Sequence, residues 1–81
     1  MKRVTVYALS TCPWCRKIKN LLREHGVPFD FIDYDLADSE TQARIMQELE
    51  REGTTLFPFV RIDGVAVTGY QPDRVLELLG L

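Results

Sequence analysis

Cys12 and Cys15 are the two cysteines of the chain, separated by Pro13 and Trp14. Disulfide exchange needs one thiolate that attacks and a second thiol that resolves the mixed disulfide, close enough for the two to bridge. A separation of two residues provides this. With Cys12 as the N-cap of a helix, its sulfur faces the unpaired N–H groups of the first turn and the positive end of the helix dipole, so its pKa is expected to fall. Cys15 lies three residues later on the same helical face and one turn inward, so it is expected to be less exposed and to stay a thiol. Attack is thereby assigned to Cys12 and resolution to Cys15. The oxidised chain is then expected to carry a Cys12–Cys15 disulfide as its redox-active group, with no bound cofactor.

Cys-X-X-Cys is also half of a zinc site, and tetrahedral zinc takes four ligands. The remaining candidate here is His25, the single histidine, at the far end of the same helix, so zinc would require a dimer that shares the site. A chain-bridging metal or iron-sulfur centre and a purely structural bridge therefore stand as alternatives to redox catalysis, and no metal ligand is assigned. Trp14 reads either as an apolar contact for partner proteins or as a surface aromatic without a role. Arg16 and Lys17 lie close enough to Cys12 to help hold a thiolate ionised. Lys19 and Arg23 read as a solvated helix face, and His25 as a helix C-terminal charge.

A dithiol at a helix start needs a strand before it and a core beneath it. Val4 to Leu9 is an apolar, β-branched run that reads as a buried strand. Pro13 suits the first helical position; Cys15, Ile18, Leu21 and Leu22 recur at helical spacing, and Gly26 stops the helix before Pro28. Phe29 to Leu36 reads as a second strand. Asp38 or Ser39 then caps a second helix, with Ser39 and Gln42 at capping-box spacing and Ala43, Met46 and Leu49 as its inner face, closed by Gly53. After a loop ending in Pro58, Phe59 to Ile62 and Val65 to Thr68 read as a hairpin around Asp63-Gly64. Gly69-Tyr70-Gln71 breaks the last strand, and Pro72 opens a helix that turns Val75, Leu76 and Leu79 inward.

The order βαβαββα predicts an α/β fold: a parallel pair from the strand-helix-strand unit, two more strands from the hairpin, and three helices flanking a four-stranded mixed sheet. The 81 residues suit one domain spanning 1–81, and 46% hydrophobic residues suffice for a modest core. A net charge of -2 supplies no basic field for nucleic acid or an anionic membrane. Met1-Lys2-Arg3 and the apolar run after them mimic a secretory leader, but the run breaks at Thr5 and ends at Ser10, short of the ~7 to 15 apolar residues a leader needs. No stretch approaches a membrane span. A cytoplasmic, monomeric protein is the expectation, and in a reducing compartment two cysteines point to catalysis or metal rather than to a staple.

A strand, Cys12-Pro13-Trp14-Cys15 at a helix start, Pro58 before a strand, Asp63-Gly64, and Gly69 before a final helix together resemble a glutaredoxin, of the thioredoxin-fold superfamily, over nearly the whole chain. The resemblance implies that Cys12 is the nucleophile and that Pro58 is a cis-proline facing the dithiol. Phe57 before it would then offer its N–H and C=O to a peptide or glutathione strand. It also implies a substrate surface at Pro13, Trp14, Lys17, Phe57, Pro58, Gly69, Tyr70 and Asp73, with disulfide-containing proteins as partners and glutathione as a candidate reductant. Two features differ from typical glutaredoxins. Leu56-Phe57-Pro58 replaces Thr-Val-Pro, and Tyr70 replaces the second glycine of a Gly-Gly pair, where its side chain would crowd glutathione. The Gly-aromatic-X-Pro-Asp pattern of Gly69 to Asp73 resembles NrdH-type redoxins, which implies reduction by thioredoxin reductase and electron supply to ribonucleotide reductase. Some glutaredoxins hold an iron-sulfur cluster between two chains; Pro13 stiffens the motif against that arrangement.

Overall fold

The computed structural model describes residues 2–81; Met1, where the leader-like segment starts, lies outside the described residues. Its elements are β1 (Val4–Ala8), α1 (Pro13–Glu24), β2 (Asp30–Asp33), a short 3-10 turn (Tyr34–Leu36), α2 (Ser39–Arg51), β3 (Phe59–Ile62), β4 (Val65–Thr68) and α3 (Pro72–Leu79). The sheet has the order β2-β1-β3-β4, with β1 parallel to β2 and antiparallel to β3, and β3 antiparallel to β4. The expected βαβαββα order and mixed sheet are thus present. Among the described residues no helix is long and apolar enough to cross a membrane.

Strand alternation divides the core between the two faces of the sheet. Val4, Val6 and Ala8 of β1, Val60 and Ile62 of β3 and Val67 of β4 meet Cys15, Ile18 and Leu22 of α1 and Val75 of α3. The opposite face sets Phe59 against Ile45 and Leu49 of α2, with Tyr7, Tyr34 and Met46 at its margin. Cys15 therefore sits in the larger of these clusters, on the helix that packs against the β1, β3 and β4 side chains of this face.

Several boundaries differ from expectation for identifiable reasons. β1 ends at Ala8 because Leu9 turns toward the helix, its carbonyl accepting the Cys12 N–H at 3.1 Å. β2 is confined to Asp30–Asp33, ending where its partner strand ends; the Asp35 carboxylate then takes the Ser10 N–H at 2.8 Å and the Ser10 hydroxyl, drawing Tyr34 to Leu36 into the 3-10 turn. At the sheet edge Phe31 and Ile32 are exposed. Asp38, not Ser39, caps α2, its Oδ1 accepting the Thr41 N–H at 2.8 Å, while the Gln42 side chain donates to the Tyr34 carbonyl at 2.8 Å instead of completing a capping box.

The inner face of α2 is Ile45 and Leu49 with Met46 beside them, and Ala43 is exposed. Glu48 sets that rotation: it accepts the Tyr7 hydroxyl at 2.8 Å and pairs with Arg61 of β3 at 2.9 Å, which turns the 45/48/49 side onto the sheet. On α3, Val75 is buried and the half-buried Leu78 and Leu79 pack against the same cluster, to which the equally half-buried Leu76 does not belong. The hairpin turns at Asp63-Gly64 as expected, with Asp63 at φ 52 and its carboxylate accepting the Arg3 N–H at 2.8 Å. Aspartate is one of the few residues other than glycine that visit this left-handed conformation.

Candidate active site

Cys12 adopts the extended conformation of an N-cap, with φ -85 and ψ 119, and Pro13 opens α1 behind it. Its Sγ accepts the Cys15 N–H at 3.4 Å, so the sulfur occupies the place of a capping oxygen. Partial burial pushes the Cys12 thiol up, but hydrogen bonds from the Cys15 thiol and from the N–H groups of Cys15 and Trp14 outweigh it and leave Cys12 below the ordinary thiol value. Those bonds, rather than the charges of Arg16 or Lys17, supply the largest stabilising share. Both cations are exposed, and the Lys17 ammonium lies 4.5 Å over the Trp14 ring instead.

Cys15 has no exposed surface. Burial is the main reason its thiol is pushed up to about 12; the Leu9 N–H, donating to its Sγ at 3.4 Å, opposes the rise, the hydrogen bond to Cys12 and the charge on Cys12 add to it, and the Lys19 charge lowers it. Helix start and core together thus push the two thiols apart, one toward thiolate and one toward thiol. Both are free in this structure. Such a pair can pass one sulfur-sulfur bond from outside to inside: the exposed thiolate opens it and the buried thiol closes it.

The Phe57-Pro58 peptide bond is cis and Pro58 is buried. Among the described residues nothing hydrogen-bonds the backbone N–H or C=O of Phe57. The Pro58 carbonyl accepts the Gly69 N–H at 2.9 Å, which ties the proline loop to the turn after β4. A Cβ on Gly69 would meet nothing within 4 Å, so it is φ +77, and not crowding, that calls for glycine there. Trp14 and Tyr70 bring their rings to 5.2 Å, and with Phe57 they line an open cleft of about 290 Å³. Tyr34 supports Phe57 from behind at 5.5 Å. An adjoining cleft of about 220 Å³ is lined by Lys17, Asn20, Leu21, Glu24 and Tyr70.

Of the expected surface, then, Trp14, Phe57 and Tyr70 come together, Lys17 joins through the second cleft, and Pro13, Pro58 and Gly69 shape the backbone around them. Asp73 is exposed in the first turn of α3 and lines neither cleft. Ser10, Asp35, Lys19 and Asp33 surround the base of the site without having been assigned to it from sequence. Only Lys19 gave a signal there, standing four residues after Cys15. Among the described residues no group of three or more His, Cys, Asp or Glu side chains is placed to hold a metal ion.

A four-stranded sheet with this helix arrangement and two cysteines at the start of α1 defines a thiol-disulfide redox protein on a thioredoxin fold. The glutaredoxin family profile matches residues 4–67, and the chain belongs to the glutaredoxin family. It is 32% identical over 80 residues to glutaredoxin 3 of Escherichia coli, covering 99% of this chain and 92% of that protein. It is 29% identical over 75 residues to the glutaredoxin-like protein NrdH of Lactococcus lactis, covering 93% of this chain and 97% of the relative. The crystal structure of a glutaredoxin from Archaeoglobus fulgidus superposes with a TM-score of 0.87 at 30% identity, over 98% of this chain and 87% of that one.

Proposed function

We propose that the chain is a dithiol-disulfide oxidoreductase for protein disulfides and glutathione-mixed disulfides, acting as a monomeric single domain through Cys12-Pro13-Trp14-Cys15. The observation that carries this reading is the split between a half-exposed N-cap sulfur held below the ordinary thiol value and a fully buried one held above it. Cys12 thiolate attacks one sulfur of the substrate disulfide and expels the other as a thiolate. Cys15, as thiolate, then attacks Cys12 Sγ, expels the second substrate sulfur and leaves the Cys12–Cys15 bridge. Two electrons pass to the substrate, whose thiolates take up protons from water. No bound cofactor takes part.

The unpartnered Phe57 N–H and C=O beside Pro58 support capture of a substrate strand by main-chain hydrogen bonds. Trp14 and Tyr70 supply apolar contact, with Lys17 over the Trp14 ring and Gly69 beside Tyr70 in the chain, while Asp73 stands exposed in the first turn of α3. This chemistry suits a reducing compartment such as the cytoplasm, where paired cysteines act as catalysts rather than staples. The electron donor is glutathione or thioredoxin reductase. Tyr70 against Trp14 favours the second, NrdH-type reading, because the contact narrows the cleft in which a glutathione backbone would lie.

Two measurements test the proposal. Cys15→Ser should accumulate a mixed disulfide on Cys12, seen as an adduct by intact-mass spectrometry; no adduct after exposure to a disulfide substrate sinks the division of roles. The donor is read from Trp14 emission as the oxidised chain is reduced. Fast reduction by glutathione, glutathione reductase and NADPH assigns glutathione. Reduction by thioredoxin reductase and NADPH alone assigns the NrdH-type branch.

A further inference from the structure

Sequence position puts Lys19 on a solvated helix face, yet its side chain is only 13% exposed and its ammonium lies 3.0 Å from the Asp33 carboxylate, itself 17% exposed. The same ammonium sits 4.1 Å over the Phe31 ring. Lysine is rarely this enclosed without a partner. Here β2 supplies both a carboxylate and an aromatic face, so the charge is held in one place rather than sweeping through solvent. Lys19 follows Cys15 by four residues, which stacks the two on one side of α1, and helical side chains lean toward the N-terminus, in this case toward Cys15.

The groups that act on Cys15 are few. Cys12 stands at the N-cap and Lys19 one turn along α1; Asp33 of β2 and Asp35 of the 3-10 turn lie behind Lys19, and Tyr70 stands at the cluster rim. The buried members of the cluster, such as Val6, Ala8, Ile18, Val60 and Val75, carry no titratable group. In the mixed disulfide Cys12 bears no charge. Lys19 then remains as the charged group that favours a Cys15 thiolate, beside the Leu9 N–H.

We infer that Lys19, fixed by Asp33, is a positioning residue for the resolving step: its ammonium stabilises Cys15 as the thiolate that attacks Cys12 Sγ. The inference rests on the assignment of Cys12 to attack and Cys15 to resolution. Its consequence is kinetic and confined to one half of the reaction.

Both halves can be watched with 5,5′-dithiobis(2-nitrobenzoate) as oxidant. Cys12 attack releases one coloured thiolate and leaves Cys12 joined to the other; Cys15 attack then releases the second and forms the Cys12–Cys15 bond, the two thiol protons passing to buffer. Stopped-flow absorbance separates the phases. In Lys19→Met the first phase should stay within about twofold, while the second slows about three- to tenfold at neutral pH and its pH midpoint moves upward. The gap between those limits reflects the greater nucleophilicity of a more basic thiolate, which offsets part of the lost ionisation. Lys19→Arg, which keeps the charge, should restore the second phase to within about twofold of the unsubstituted chain. The inference is overturned if Lys19→Met leaves the second phase and its midpoint unmoved, if both phases slow equally, or if Lys19→Arg behaves like Lys19→Met. Loss of the first phase in the unsubstituted chain would instead remove the assignment of Cys12, and the inference with it.

Discussion

Cys12 is shifted toward its thiolate by hydrogen-bond geometry and not by neighbouring cations. Its largest supports are the thiol of Cys15 and the first-turn N–H groups, which point at the sulfur because an N-cap residue must satisfy them. A thiol below its ordinary 9.0 keeps its nucleophilic form as the pH falls and loses it only on passing the lowered value. The rate of Cys12 alkylation by iodoacetamide, followed against pH by mass spectrometry, should therefore show a midpoint below 9.0, and Cys15→Ala should move it upward by removing the thiol that donates to Cys12. Cys12→Ser should abolish insulin reduction, and full activity in that variant would end the proposed mechanism. The placement of the two cysteines, Cys12 as the N-cap of α1 and Cys15 buried one turn inward, is legible in the spacing. That Lys17 covers Trp14 instead of serving Cys12 is not, because a lysine stem is long enough to reach either.

At the scale of elements, α1 and α2 have different tasks. α1 carries the dithiol into the core through Cys15, Ile18 and Leu22, so its register is set by burial. α2 is registered by burial and by polar contact together: Glu48 bonds Tyr7 of β1 and pairs with Arg61 of β3, which also reaches Glu52 at 3.3 Å. Glu48→Ala leaves both a phenol and a guanidinium short of their partner. It should cost about 1–3 kcal/mol in urea unfolding while thiol-exchange rates stay near those of the unsubstituted chain. A variant as stable as the original would show that these partly exposed groups are satisfied by water. The inner face of α2 was only partly readable from apolar spacing, since two helical stripes, 43/46/49 and 45/46/49, share residues, and the choice fell to Glu48.

Across the whole molecule, the fold keeps protons where an unfolded chain would lose them. Cys15 is pushed up to about 12 from 9.0, mainly by burial, and Tyr7 to about 12 from 10.0, by burial and then by its bond to Glu48. Above pH 9.0 the unfolded state releases the Cys15 proton that the folded state retains, so the stability associated with this group is whole below 9.0 and declines as the pH rises toward about 12. The slope from Cys15 reaches at most about 1.4 kcal/mol per pH unit. Cys12 has the opposite sign, and its contribution stops growing at 9.0. Denaturant unfolding should accordingly show the dithiol form losing stability above pH 9.0, whereas the disulfide form, with no thiols left to titrate, should hold until Tyr7 begins to count near 10.0. Parallel declines in both forms would contradict the assignment of Cys15.

The order of elements, the dithiol at a helix start, the hairpin at Asp63-Gly64 and the proline loop were all determined by the sequence alone, because each rests on neighbours within a few residues: a cap, a turn or a short apolar run. The aromatic cleft, the short β2, the face of α2 and the enclosure of Lys19 were decided only by tertiary structure. Each depends on groups far apart in the chain, Trp14 with Tyr70, Ser10 with Asp35, Tyr7 with Glu48 and Lys19 with Asp33, that meet only after the strands have paired. Local spacing carries no information about which distant carboxylate or ring a flexible side chain will find; packing of the two core faces does.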